Sequence, residues 1–138
     1  MYFKWKDEFS VKVAEIDKQH MRLFEIGARI NELAYAKDEF DHYDEIIEVL
    51  HELVEYTEYH FKYEEELMER YQYEGFETQK FEHFFVIKKI QKILNEDIDK
   101  KQSETIMNLV TFISDWITNH ILKEDMKYTD FFKNKGVR

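Results

Sequence analysis

The sequence has no cysteine and no proline, and only three glycines in 138 residues. Without cysteine there is no disulfide framework, no thiolate metal site and no redox thiol, so any bound metal must be held by nitrogen and oxygen donors. The lack of proline and shortage of glycine leave a turn-dependent β architecture poorly supplied, while abundant Glu, Lys, Ile and Leu favour long helices. Positive charge is also scarce: 20 Lys and Arg stand against 30 Asp and Glu, for a formal net charge of −10. That balance opposes nucleic acid or an anionic membrane as a general partner, because most of the surface would repel either one. Long apolar runs are missing too. The opening MYFKWKDEFS is interrupted by Lys4, Lys6, Asp7 and Glu8, which leaves no signal peptide or membrane span and makes a cytoplasmic location the expectation.

What is present suits one all-α domain over residues 1–138, since 43% hydrophobic residues suffice for a single core. Residues 1–16 place Phe3, Trp5, Phe9, Val11, Val13 and Ile16 without helical spacing, which predicts an extended arm laid against the rest. Asp17 then offers an N-cap for a first helix over roughly 18–37, with Leu23, Phe24, Gly27, Ile30, Asn31 and Ala34 on one stripe and His20 among them. Asp38 and Asp41 are candidate caps for a second helix, roughly 41–71, whose stripe runs Ile47, Leu50, Val54, Thr57, Phe61, Leu67, Met68 and Tyr71 around His60 and Glu64. Gly75 breaks the chain before a third helix, roughly 77–95, with Gln79, His83, Val86, Ile87, Ile90, Ile93 and Leu94 in step. Ser103 is the candidate cap of a fourth helix, whose stripe runs Ile106, Leu109, Val110, Ile113, Trp116, Ile117, His120 and Ile121, and a short helix over about 126–133 closes the chain. Four amphipathic helices on short connections predict an up-down-up-down four-helix bundle. The basic end, Lys123, Lys127, Lys133, Lys135 and Arg138, reads as a solvated tail.

Ionisable residues on the core-facing stripes need an explanation, because an unpaired buried polar group costs about 2 kcal/mol or more and a charge costs more still. Singly, each has an ordinary one: a hydrogen-bonded core histidine, or an i, i+4 contact such as His60 with Glu64. Together they do not. His20, His60, Glu64, His83 and His120 come from all four helices, each on the inward stripe, and Asp125 follows His120 where the last helix can fray and turn a carboxylate inward. Four histidines and two carboxylates cannot satisfy one another in a dry core, but they could surround two cations with bridging carboxylates. The other two histidines serve as controls. His51 lies half a turn round the helix from His60 at 100° per residue, and His42 sits among Asp41, Asp44 and Glu45; both read as surface residues.

Three segments, VAEIDKQHMRLF, YHFKYEEELM and WITNHILKEDMKY, together with Trp5 in the arm, resemble the signature stretches of bacterial hemerythrins. The likeness spans nearly the whole chain. It implies two iron ions, Fe2+ or Fe3+, joined by an oxo or hydroxo bridge and held without heme. His20 and His60 would hold the iron left open to dioxygen, His83 and His120 the filled one, and Glu64 and Asp125 would bridge them. The family's seventh ligand is a histidine four residues before His83; here that position is Gln79, one turn away on the same face. An amide oxygen is a weaker, harder ligand than imidazole, so Gln79 is expected to bind weakly or to yield its place to water. Glu77 and Glu82 are rotated off the stripe and cannot simply replace it. The resemblance further implies a dry dioxygen pocket lined by Leu23, Phe61, Trp116, Ile117, Ile121 and Tyr128.

The function implied is reversible dioxygen binding for carriage, storage or delivery, with dioxygen as the ligand and a reductase as a candidate partner; oligomeric state is left open. A sensor would be expected to carry an output domain, and none is read here. The runner-up is a di-iron enzyme reducing peroxide, dioxygen or nitric oxide, for which Gln79 could open a second exchangeable position. The third reading is a metal-free acidic interaction module.

Overall fold

A computed structural model describes residues 4–35, 43–95 and 102–138. Its helices are α1 (Ala14–Ala34), α2 (Tyr43–Arg70), α3 (Phe76–Asn95), α4 (Gln102–Lys123) and the short α5 (Thr129–Asn134). α1 packs on α2 and α4, and α2 on α3, which is the all-α bundle expected from the four stripes. No described helix is long and apolar enough to cross a membrane.

The start of α1 differs from the expectation. It begins at Ala14, with Val13 as an N-cap that makes no side-chain cap bond, so Asp17 is not the cap. Its carboxylate instead reaches back to the arm, accepting from the Ser10 hydroxyl at 2.6 Å and the Val11 N–H at 2.9 Å. This clamp accompanies Lys12 in the left-handed region at φ 62°, a conformation a non-glycine residue adopts only when its surroundings hold it there. The arm is not wholly extended: Asp7–Phe9 form a 3-10 turn, and Trp5 and Phe9 pack on Phe24 with ring centroids 5.8 and 5.4 Å away. Ser103 lies inside α4 rather than capping it, while Asp38, Asp41 and His42 fall outside the described residues.

α2 stops before Gly75. Gln72 takes φ 57°, and the Tyr73 and Gln72 N–H groups donate to the carbonyls of Met68 and Glu69, which satisfies the last turn in a Schellman arrangement. Gly75 has a separate role: a Cβ there would lie 2.6 Å from the Tyr73 ring, which would have to move aside. At the chain's end a 3-10 turn, Asp125–Tyr128, leads into α5, close to the expected short helix.

The buried apolar residues fall into two clusters. One runs through Leu23, Ile30, Leu50, Phe61, Ile117 and Ile121. The other gathers Val11, Ile16, Leu67, Met68, Tyr128 and Phe132. On α1, α2 and the turn after α4, His20, Glu64 and Asp125 fall between these groups in sequence, with His60 and His120 about one turn further into the first cluster, so a polar layer lies where the two dry ones meet. Each helix must therefore keep its register, because a slide by one turn would drive charge into a hydrophobic layer.

Candidate metal centre

The i, i+4 spacing puts His60 and Glu64 on one face of α2, and Gln79 and His83 on one face of α3. α1 contributes His20, α4 contributes His120, and the turn after α4 brings Asp125 inward. All seven side chains are buried, none more than 6% exposed. Their donor atoms form two groups, His20, His60 and Glu64 in one and His83, His120 and Asp125 in the other, with the donors of each group within 4.8 Å of one another. Asp125 faces both: its Oδ1 lies 3.2 Å from His120 Nε2 and its Oδ2 lies 3.3 Å from His20 Nε2. His83 Nε2 and His120 Nε2 are 3.1 Å apart. Gln79 is brought in as the stripe predicts, and its amide nitrogen donates to Asp125 Oδ1 at 3.1 Å. His51 is exposed, as expected.

Nitrogen and oxygen donors of these types suit a transition-metal cation without sulfur ligands. The decisive observation is what they lack. His20 Nδ1, Glu64 Oε1, Gln79 Oε1 and Asp125 Oδ2 are all buried without a hydrogen bond, as is His20 Nε2, although Glu64 Oε1 lies 2.5 Å from His60 Nε2 and Asp125 Oδ2 lies 3.3 Å from His20 Nε2. Native interiors leave few such atoms, and most of these lie in or beside the two donor groups; bound cations would satisfy the inward-facing ones together. The residues present fit a pair of metal ions.

Outer contacts set the rings. His60 Nδ1 lies 2.7 Å from Gln19 Oε1, His83 Nδ1 lies 3.0 Å from Glu65 Oε2, and His120 Nδ1 lies 3.0 Å from Glu82 Oε2. With Nδ1 engaged as donor, each ring in its neutral form would offer Nε2 to a bound cation, and such partners raise ligand basicity. Phe61 stacks on His83 with centroids 3.8 Å apart, and Trp116 stacks on His120 at 4.5 Å. Sequence reasoning missed Gln19 and Glu65 and considered Glu82 only as a replacement ligand. Their one signal is adjacency to a ligand position, which an acidic run such as Glu64-Glu65-Glu66 obscures.

Burial and mutual charge shift the titrations strongly. Burial pushes His60 down to about 4. Burial, then the Asp125 charge, pushes Glu64 up to about 7. Burial alone would lower His120, but the charge and hydrogen bond of Asp125, with Glu64 and Glu82, hold it up at about 9. Burial likewise opposes ionisation of Asp125, yet His120 and His20 hold its carboxyl well below the usual range.

A cavity of about 10 Å³ borders the donors, lined by Leu23, Phe61, Trp116, Ile117 and Ile121, with Thr57 beside them. These are five of the six expected pocket residues. Tyr128 is the exception: it belongs to the other apolar layer, and its hydroxyl donates to Glu64 Oε2 at 2.7 Å. Its ring carries a hydroxyl that needs a buried acceptor, and the nearest carboxylate decides where it points. Thr57, which the stripe placed inward without a role, donates its hydroxyl to the Leu53 carbonyl at 2.6 Å.

Residues 11–132 match the family model of the Hemerythrin HHE cation binding domain. The chain is 40% identical over 130 residues to a bacteriohemerythrin of Clostridium acetobutylicum, covering 93% of this chain and 99% of that one. It is 33% identical to a bacteriohemerythrin of Stenotrophomonas maltophilia, covering 94% of this chain and 80% of the relative. A hemerythrin-like protein of Naegleria gruberi is 30% identical over 91% of this chain and 90% of its own length.

Proposed function

Because the chain belongs to the hemerythrin family, we propose that it binds dioxygen reversibly at a carboxylate-bridged pair of non-heme iron ions. His20 and His60 would hold one iron and His83 and His120 the other, with Glu64 beside the first group and Asp125 beside the second as the carboxylates they would share. The observation that carries the pairing is Asp125, which turns one oxygen toward each histidine group. Gln79, with its Oε1 unpartnered, would be a weak fourth donor on the His83 side. When bound, two ferrous ions supply the electron pair that dioxygen binding draws on and that release returns.

The chain's own residues make such binding reversible by keeping the site dry. Leu23, Phe61, Ile117 and Ile121 are nearly inaccessible and leave beside the histidines a cavity that admits only a very small molecule. The apolar lining, which offers water few hydrogen-bond partners, disfavours the water and protons that would let an oxidised state decay. Tyr128 holds its proton, since burial and the charges of Asp125 and Glu64 push its phenol well above the usual value, and it fixes Glu64 by donating to it.

Iron per chain, measured with optical spectra under nitrogen, after air and after renewed deoxygenation, tests this reading. Two irons and visible bands that vanish on deoxygenation are expected. Absence of iron binding, or irreversible bleaching, would overturn it. A di-iron enzyme reducing peroxide, dioxygen or nitric oxide is the second reading, favoured by Gln79 at a ligand position; sustained turnover with a reductant would select it.

A further inference from the structure

α3 differs from the other helices in charge and in what it leaves uncovered. It carries four lysines against two glutamates, whereas α2 carries ten acidic residues against two basic ones. Phe81, Phe84 and Phe85 stand 68%, 61% and 57% exposed. Their i, i+3, i+4 spacing makes one outer stripe, which Lys88 and Lys92 continue, and Lys88 Nζ lies 5.4 Å from the Phe84 ring centroid. Isolated exposed apolar residues need no explanation, but three adjoining phenylalanines on one ridge mark an interaction site.

This ridge lies over the metal centre. On the α2 side it borders a groove of about 480 Å³ whose α3 wall is Phe84, Lys80 and Lys88 and whose α2 wall carries Glu58, Glu65, Glu66 and Glu69, with His83 and Phe61 at its floor, so the attractive charge lies on the ridge and not in the groove. On the α4 side it borders a groove of about 290 Å³ lined by Phe81 and Phe85, with His120 and Trp116 among its walls. The partly buried carboxylates Glu65 and Glu82, which engage the Nδ1 atoms of those two histidines, lie in the same two grooves. A molecule seated on the ridge would thus have the histidines of the second donor group close on either side.

We propose that the outer stripe of α3, Phe81, Phe84 and Phe85 with Lys80, Lys88 and Lys92, is the docking surface of an acidic one-electron carrier protein that re-reduces the metal centre. The inference rests on the di-iron reading. An acidic carrier is drawn to the four lysines of α3 and repelled by α2, with its ten acidic residues against two basic ones, so charge orients it before contact. Aromatic residues at the centre with a basic rim suit the small, transient interfaces of redox partners. Each encounter oxidises the carrier by one electron and reduces one ferric ion to ferrous; two encounters restore the centre.

The test uses the iron-loaded, air-oxidised chain and a reduced plant-type [2Fe–2S] ferredoxin as the probe, followed by stopped-flow absorbance. The variants are Lys80→Glu/Lys88→Glu/Lys92→Glu and Phe81→Ser/Phe84→Ser/Phe85→Ser, all at exposed positions. Each is expected to slow reduction by ferredoxin by about tenfold, the wild-type rate is expected to fall with salt, and dithionite is expected to reduce all forms equally. Equal ferredoxin rates in all three proteins would overturn the proposal, as would stripe-dependent dimerisation in sedimentation, which would assign the surface to a second copy. Binding of oxidised ferredoxin to the metal-free chain, at low and high salt, reads the surface alone. If no form holds iron, the di-iron reading fails, and this binding still decides whether the stripe docks an acidic partner.

Discussion

Gln79 donates its amide to Asp125 Oδ1 at 3.1 Å, the same oxygen that faces His120 Nε2. The amide thus stands within reach of the bridging candidate while its own oxygen is unpartnered. Replacing it by imidazole supplies a stronger donor from the same turn of α3. Gln79→His is expected to raise retention of the second iron by about tenfold against a chelator, taking the size of a typical metal-site change. Equal iron per chain in both forms after the challenge would show that Gln79 is not the weak point.

Tyr128 is fully buried and donates to Glu64 Oε2 at 2.7 Å. Tyr128→Phe preserves the packing but leaves that oxygen without its donor. The metal-free protein is expected to lose about 1–3 kcal/mol in urea unfolding. A change within error would mean that water replaces the phenol.

Glu82 engages His120 Nδ1 from a partly buried position. Glu82→Gln is expected to lower metal affinity by about tenfold while leaving the helix content unchanged. Titration of the metal-free protein with ferrous iron, alongside circular dichroism, separates loss of ligand orientation from loss of fold.

The metal-free protein should respond to pH in two opposed ways. Glu64 is raised from 4.5 to about 7 and His120 from 6.5 to about 9. Their stabilising effects are complete below the unfolded values and are lost as pH rises through the folded ones. His60, lowered from 6.5 to about 4, contributes stability above 6.5 that is lost as pH falls through 4. Metal binding needs Glu64 ionised and His120 neutral, so it strengthens over the range where Glu64 and His120 weaken the metal-free fold. The gap in Tm between loaded and metal-free protein is expected to widen from pH 5 to pH 9. A constant gap would contradict these shifts.

Gln72 occupies the left-handed region at φ 57° where α2 ends. A side chain there costs about 1 kcal/mol that glycine avoids. Gln72→Gly is therefore expected to raise the Tm, and a lowered Tm would show that the Gln72 side chain makes a compensating contact.

The four helices and the inward direction of His20, His60, Glu64, Gln79, His83 and His120 were legible because the 3.6-residue period fixes where a side chain points around its own helix. From its own position Asp125 was legible only as a residue able to turn back; its bridging place came from the resemblance. The caps were read less well: Asp17 resembles a cap by type, but its carboxylate serves the arm's Ser10 and Val11, a partnership that depends on how the arm folds back.

The sequence by itself determined an all-α chain with one polar layer of nitrogen and oxygen donors, because periodicity and composition act within each helix. The division of those donors into two groups, with Asp125 between them, was implied by the family resemblance; only the tertiary structure decided that Tyr128 serves Glu64 instead of the cavity, that Gln79 donates to Asp125, and that Glu65 and Glu82 orient the histidines. These depend on how far each helix slides and turns against its neighbours. That register is set by burying two apolar layers at once, and no single helix encodes it.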